Sequence, residues 1–153
     1  MKELNEYRSR LVEQLGVAAR EFRDAFAKRD PSMKLEGEWT LHQVASHVRD
    51  IDRDVYGARI RRTLQEDNPL FQSIDPDEHL KKNYQQDEPM QKILDELKGN
   101  VDALCRDLHA APMEAWSRVS RHETLGGGLP LQWWVERSLA HIEEHLSPLA
   151  KSN

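Results

Sequence analysis

Two histidines, His141 and His145, stand four residues apart near the end of the chain. In an α-helix this spacing places both imidazole rings on one side of the helix, one turn apart. Two rings in that arrangement can share one divalent metal ion, as in metal sites built on a His-x-x-x-His helix. The pair is therefore the first indication of a metal site.

His47 supplies a third imidazole from a distant segment. It lies at the edge of an apolar stripe on its predicted helix, whereas His42 is predicted to point to the opposite, solvent-facing side. We predict that His47, His141 and His145 converge on one ion, with zinc or nickel the metals expected at an imidazole site. The alternative is that the three rings are capped by backbone carbonyls or half exposed.

Asp50 and Asp54 follow His47 on the same side of the predicted helix. Either carboxylate could orient an imidazole or handle a proton near the metal. Carboxylates next to arginines on a helix usually pair with them in water, so solvation at the surface is the favoured interpretation.

The remaining histidines, His79, His109 and His122, fall in or beside predicted connections and are expected at the surface. Of these, His122 is kept as a weaker candidate to approach the metal from its loop. Cys105 lies beside an apolar stripe, which favours a buried structural cysteine over a nucleophile. A single cysteine forms no internal disulfide, which fits a reducing compartment.

Three imidazoles leave open positions on the ion, which distinguishes a reactive site from a closed structural one. A bound thiol would ionise there, and a bound water would become acidic near neutral pH, so either could attack a small electrophile. Thiol-dependent transfer is the leading hypothesis, and metal-dependent hydrolysis is the alternative. A metal-binding module without turnover, acting through a homodimer, is a third interpretation.

The segment from His141 to His145 also satisfies the His-x-x-Glu-His pattern of one class of metallopeptidases. We disfavour that class because no strand is predicted for a peptide to align against, and Glu144 should project away from the core. Trp134 could wall the metal pocket, although burial in the core is favoured. Trp133 faces the opposite side, where a connection would cover it or a dimer interface would use it.

Apolar residues that recur at three- and four-residue steps predict four helices, and no convincing strand alternation accompanies them. Thr40 and Gln43 form a capping box at the start of the second helix, and Pro89 suits the first turn of the third. The fold class is therefore predicted to be all-α. The four helices are expected over Lys2–Lys28, Thr40–Glu66, Glu88–His109 and Pro130–Pro148.

Two connections stand out between these helices. Residues 68–88 carry Pro69 and Pro76 and are long for a link within a bundle, which predicts a crossover or a lid. Gly126, Gly127 and Gly128 lack the Gly-Lys-Ser/Thr fingerprint of a phosphate loop, so a flexible hinge is expected there.

Composition narrows the function classes further. The 153 residues are 38% hydrophobic and 32% charged, with a net charge of -5, as expected of a single globular domain over 1–153. Acidic neighbours surround the cluster of Arg59, Arg61 and Arg62, so no nucleic-acid partner is expected. No apolar run is long enough to cross a membrane, and the N-terminus lacks the apolar segment of a signal peptide. A cytoplasmic protein with a small-molecule substrate is expected.

The segment Trp39-Thr40-Leu41-His42-Gln43-Val44-Ala45-Ser46-His47-Val48-Arg49-Asp50, with Trp134 and His141-Ile142-Glu143-Glu144-His145-Leu146, resembles the DinB-like superfamily of damage-inducible and YfiT-like proteins. The resemblance covers essentially the whole chain in helix order. It implies a four-helix bundle with a long crossover between helices two and three, and a metal triad at His47, His141 and His145. Family activities imply transfer with a low-molecular-weight thiol or metal-dependent hydrolysis.

Overall fold

The computed structural model describes residues 1–35 and 37–151 and is mainly helical, as predicted. A π-helical segment, Asp52–Tyr56, joins α2 to α3, so these two helices form the predicted second helix. The helices are α1 Lys2–Ala27, α2 Leu41–Ile51, α3 Gly57–Gln65, α4 Pro76–Asn83, α5 Met90–Ala110 and α6 Leu131–Lys151.

The predicted capping box fixes the start of α2. The Thr40 hydroxyl accepts a hydrogen bond from the Gln43 backbone N–H at 3.1 Å, and the Gln43 side chain accepts from the Thr40 N–H at 2.9 Å. Two N–H groups that a helix start leaves unpaired are thereby satisfied. The register of α2 then places His47 on the face that turns towards α6.

The bundle core lies between α1, α5, α6 and the α2–α3 unit. α1 packs along both α5 and α6, and α2 packs on α5. The apolar stripes predicted for each helix are buried there, and the largest fully buried side chains include Trp134, Phe22, Phe26, Leu15, Ile60, Ile93, Leu94, Leu97 and Ile142. α6 continues through Pro148 to Lys151, beyond the predicted end, because the buried Leu149 anchors the last turn in this core.

The π-helical segment is a local departure from α-helical geometry. The Gly57 N–H donates to the Asp52 carbonyl oxygen, five residues back, where an α-helix would use a carbonyl four residues back. A Cβ on Gly57 would lie 2.6 Å from that oxygen, so the segment requires glycine at this position. The extra residue in the turn changes the direction in which Tyr56 points.

A small sheet was not predicted. Its strands are β1 Leu70–Phe71, β2 Val119–His122 and β3 Gly126–Pro130, with β1 parallel and β3 antiparallel to β2. The three glycines predicted as a hinge belong to β3 instead. Gly126 and Gly128 have φ angles of 93° and 70°, a conformation that glycine adopts without strain.

The connection predicted as a crossover or lid is structured in the middle. Asp75 caps α4 by accepting hydrogen bonds from the N–H groups of Asp77 and Glu78 at 3.0 and 3.4 Å, and Pro76 occupies the first turn. α4 packs on α2, so the crossover covers one side of that helix. Across the described ranges, none of the helices has the length and apolar character needed to cross a membrane.

Candidate metal centre

The three predicted histidines come together between α2 and α6. One ring nitrogen from each of His47, His141 and His145 lies within 4.8 Å of the others. The Nε2 atoms of His47 and His141 are 3.1 Å apart, and the three ring centroids are separated by 4.8 to 5.2 Å. Helical spacing explains the pair on α6, and packing of α2 against α6 adds the third ring.

This donor set fits a divalent ion. Zinc–imidazole bonds of about 2.0–2.1 Å at tetrahedral angles place ligand nitrogens about 3.3 Å apart. The observed 3.1 Å between His47 and His141 is close to that spacing. All three donors are imidazoles, which suit zinc and nickel, and no fourth protein ligand joins them among the described residues. An ion held here would keep at least one position open.

Burial keeps the imidazoles in the neutral form that binds metal. It lowers the pKa of His47 to about 4 and that of His141 to about 3, with repulsion from the charge on His145 as a smaller contribution to each. A ligand histidine must lose its ring proton before it binds a metal. At neutral pH both rings are therefore ready to coordinate.

Aromatic rings, and not carboxylates, hold two of the imidazoles in place. The Nδ1 atoms of His47 and His141 are buried without a hydrogen-bond partner in the described part of the chain. The Trp39 ring centroid lies 5.0 Å from that of His47, and the Tyr56 ring lies 5.6 Å from that of His141. Neither aromatic residue was singled out for this role from the sequence.

The two aspartates that follow His47 do not orient its ring. Asp50 is buried, contrary to the prediction of surface solvation, and its carboxylate accepts from Arg49 at 2.9 Å and Arg53 at 3.4 Å. Asp54 is exposed and pairs with Arg53, as predicted. The prediction failed for Asp50 because the guanidinium of Arg49 turns inward and is buried with it.

His79 lies closer to the centre than predicted. It was expected at the surface, but its side chain is 16% exposed, and its Nε2 atom lies 3.7 Å from a carboxylate oxygen of Asp54. Charge on His79 adds to the lowering of the His47 pKa that burial dominates. α4 brings His79 there, and nothing in the sequence fixed how the crossover would lie.

His42 is buried, and the prediction that it points to solvent was wrong. Its Nδ1 lies 2.5 Å from the Tyr84 hydroxyl, and its Nε2 lies 2.6 Å from the Glu88 carbonyl oxygen. The helical wheel placed His42 away from His47 correctly. The crossover covers that opposite side, so the ring ties α2 to the connection and takes no part in the metal centre.

The other candidates lie apart from the centre. His122, on β2, is buried, and its ring centroid lies 6.3 Å from that of Trp134; it is not among the grouped metal ligands. His109 is exposed, as predicted. Trp134 is a core residue whose Nε1–H donates to Ser120 at 2.7 Å, so it does not wall the metal pocket. Trp133 is half-buried against Trp134.

A cavity of about 370 Å³ opens beside His145. It lies between the last turns of α6, the start of α2 and the segment before it, and its walls are mostly apolar. Glu144, predicted to project from the core, is exposed on its rim. The lining residues are Phe26, Leu35, Gly37, Glu38, Trp39, Leu41, Val44, Glu144, His145, Pro148 and Leu149. A ligand in this cavity would contact His145, one of the three imidazoles.

Comparison with known proteins agrees with this architecture. The structure of YfiT from Bacillus subtilis matches with a TM-score of 0.77 at 18% sequence identity, over 96% of this chain and 87% of that one. YfiT is described as a probable metal-dependent hydrolase with an unusual four-helix bundle topology. At this identity the match establishes the fold alone. No curated protein matches the chain.

The family is established by the sequence itself. A model of the DinB superfamily matches residues 9–148, which include all three histidines of the centre, the whole of α2, and α6 as far as Pro148. The chain therefore belongs to the DinB superfamily.

Proposed function

We propose that the protein is a divalent-metal-dependent hydrolase of a small-molecule substrate, with zinc or nickel held by His47, His141 and His145. One observation carries the proposal: three imidazoles, two with strongly lowered pKa values, converge, and one of the three, His145, lines a cavity large enough for a substrate. The description of YfiT as a probable metal-dependent hydrolase supports it.

Different residues of the chain would have different roles in such a reaction. When bound, the ion lowers the pKa of water towards neutrality and polarises a carbonyl oxygen. Neutral imidazoles would hold the ion without cancelling its charge, and Trp39 and Tyr56 pack against His47 and His141 and fix the positions of these two rings. The apolar walls of the cavity beside His145 position the substrate.

Thiol-dependent transfer, the leading hypothesis from the sequence, would use the same centre with a thiolate as the nucleophile. The charged side chains that line the described cavity are Glu38 and Glu144, which disfavour a thiol that carries carboxylates. We therefore place hydrolysis first. The cytoplasmic location and the homodimer remain predictions from the sequence.

The test measures metal content and turnover together. Purified protein should contain about one zinc or nickel ion per chain, and should hydrolyse a neutral aryl ester such as 4-nitrophenyl butyrate. His145→Ala should lose both properties, whereas His109→Ala, a change at an exposed histidine, should keep both. Retention of metal and turnover by His145→Ala would refute the proposal.

A second measurement separates the two nucleophiles. If hydrolysis is the reaction, low-molecular-weight thiols should change neither the rate nor the visible spectrum of a cobalt-substituted form. A thiol-dependent spectral change, together with consumption of 1-chloro-2,4-dinitrobenzene only when thiol is present, would replace hydrolysis with transfer.

A further inference from the structure

Arg59 is a buried cation without a carboxylate partner. Its side chain, on α3, is only 9% exposed. One of its NH2 hydrogens donates to the Gln72 backbone oxygen at 2.8 Å, and its guanidinium lies 4.8 Å from the Trp134 ring and 5.7 Å from the Phe71 ring. Buried arginines are normally paired with an acid, so this environment is unusual.

The acidic groups near Arg59 are engaged elsewhere. Asp54 is bonded to Arg53 at 2.8 and 3.0 Å, and Glu66 is bonded to Arg62 at 2.7 and 3.0 Å. Burial, and then the charge of Arg59, lower the pKa of the neighbouring His122, which therefore supplies no counter-charge. Within the described residues the positive charge of Arg59 is left uncompensated.

A separate cavity receives this guanidinium. It has a volume of about 330 Å³ and lies between α3 and the segment from Leu70 to Ile74. The Nε and NH1 atoms of Arg59 make no hydrogen bond to the described residues, and they are not among the buried atoms without a partner, so they retain some exposed surface. None of the three histidines of the metal centre lines it.

The other walls indicate which anion would fit. Ala58, Leu70, Phe71 and Ile74 are apolar. The other charged side chains of the described lining are each in an ion pair, Asp54 with Arg53 and Arg62 with Glu66, which leaves the single charge of Arg59 for a ligand. A carboxylate oxygen would accept a charge-assisted hydrogen bond from one of these N–H groups. These features favour a singly charged anion with a short apolar body.

We propose that this cavity is a binding site for a small organic monocarboxylate, whose carboxylate pairs with Arg59 and whose apolar chain packs on Leu70, Phe71 and Ile74. The site is distinct from the metal centre and does not depend on the hydrolase function. It gives the protein a means of binding an acidic metabolite as a second ligand.

Titration calorimetry on the metal-loaded protein tests the site, with ionic strength matched by chloride. Butyrate should bind at one site per chain and at least 10-fold more tightly than butyramide or inorganic phosphate. Arg59→Met should abolish this binding, and Arg59→Lys, which keeps the charge but loses the planar guanidinium that lies over the Trp134 ring, should weaken it several-fold. Arg20→Met, at an exposed arginine outside the cavity, should bind as the wild type does.

Two further variants distinguish binding in this cavity from the effects of misfolding and from binding of butyrate to the metal. Ile74 is 40% exposed, so Ile74→Trp should fill the cavity and weaken butyrate binding without disturbing the core. His141→Ala should bind butyrate unchanged. The proposal is overturned if butyrate does not bind saturably, if phosphate binds as tightly, if Ile74→Trp binds normally, or if His141→Ala loses binding.

Discussion

At two of the three imidazoles, His47 and His141, burial makes the neutral ring the stable form, and the folded protein therefore loses stability in acid. The folded-state pKa values of His47 and His141 are lowered to about 4 and about 3, whereas the unfolded chain takes up protons near pH 6.5. As pH falls below 6.5, protons therefore stabilise the unfolded state, and the loss continues down to the folded-state pKa values.

Metal-free protein should accordingly lose stability between pH 6.5 and pH 4. Each of the two histidines adds about 1.4 kcal/mol per pH unit to the slope over the middle of this range. Urea denaturation in a chelator measures that slope. His47→Gln should reduce this slope by the share of one proton, and equal slopes for wild type and His47→Gln would contradict the assigned burial.

Asp52 should show the opposite pH dependence. Burial raises its pKa to about 7, and the weaker effects of a hydrogen bond from Ser138 and the charge of Arg61 oppose this rise. The unfolded state loses its proton near pH 4, so the carboxyl destabilises the folded protein increasingly as pH rises from 4 to 7.

Asp52→Asn removes this titration and keeps an oxygen that can accept from Ser138. Its free energy of unfolding, relative to wild type, should therefore rise by about 2 kcal/mol between pH 5 and pH 7 and level off above that. Denaturation curves of both proteins at pH 5, 6, 7 and 8 measure the difference. A difference that stays constant with pH would show that Asp52 is ionised throughout.

The geometry of the π-helical segment between α2 and α3 predicts the effect of a substitution at Gly57. Gly57→Ala would place a Cβ 2.6 Å from the Asp52 carbonyl oxygen, so the turn must shift and carry Tyr56 away from His141. We expect destabilisation of roughly 1–3 kcal/mol, as for other overpacked sites, together with weaker metal binding. Thermal denaturation and metal titration measure the two effects.

Gly99 is the matched control for that substitution. It lies on the exposed face of α5, and a Cβ there would meet nothing within 4 Å. Gly99→Ala should therefore stabilise the protein by about 1 kcal/mol through helix propensity, with no change in metal affinity. If both alanine variants behaved alike, the steric account of Gly57 would be wrong.

Periodicity predicted the helices and the histidine trio, because both follow from which residues share one helix face. Periodicity could not predict that Tyr56 lies beside the metal centre. An α-helix turns about 100° per residue, which places position 56 about half a turn away from position 47. The π-helical segment changes that direction. The sheet escaped prediction because β1 has two residues and β3 contains Gly126, Gly127 and Gly128, so neither strand alternates.

Burial of His42 and Asp50 depended on partners far away in sequence. The Glu88 carboxylate accepts hydrogen bonds from Arg49, which is itself bonded to Asp50, and the Glu88 backbone oxygen contacts His42. These contacts hold Arg49 and His42 against the segment that leads into α5. A helical wheel gives direction around one helix but says nothing about which segment covers it. The crossover therefore decided which of the predicted surface residues became buried.

Across the whole molecule, the metal centre joins two parts of the bundle that no disulfide connects. His47 belongs to α2, and His141 and His145 belong to α6, so an ion held by all three would bridge helices far apart in sequence. Such an ion binds only the folded chain, because the unfolded chain does not bring the three rings together. Metal binding and global stability are therefore expected to be linked.

Chelation should lower the melting temperature of the whole bundle in one transition. An ion at 100 times its dissociation constant adds about 2.7 kcal/mol, and for a chain of this size each kcal/mol moves Tm by about 2–4 °C, giving a shift of roughly 5–10 °C. Calorimetry with and without a chelator measures it. His141→Ala should melt at one temperature in both conditions, and His109→Ala should show the full shift; a wild-type Tm indifferent to chelation would mean that no ion bridges α2 and α6.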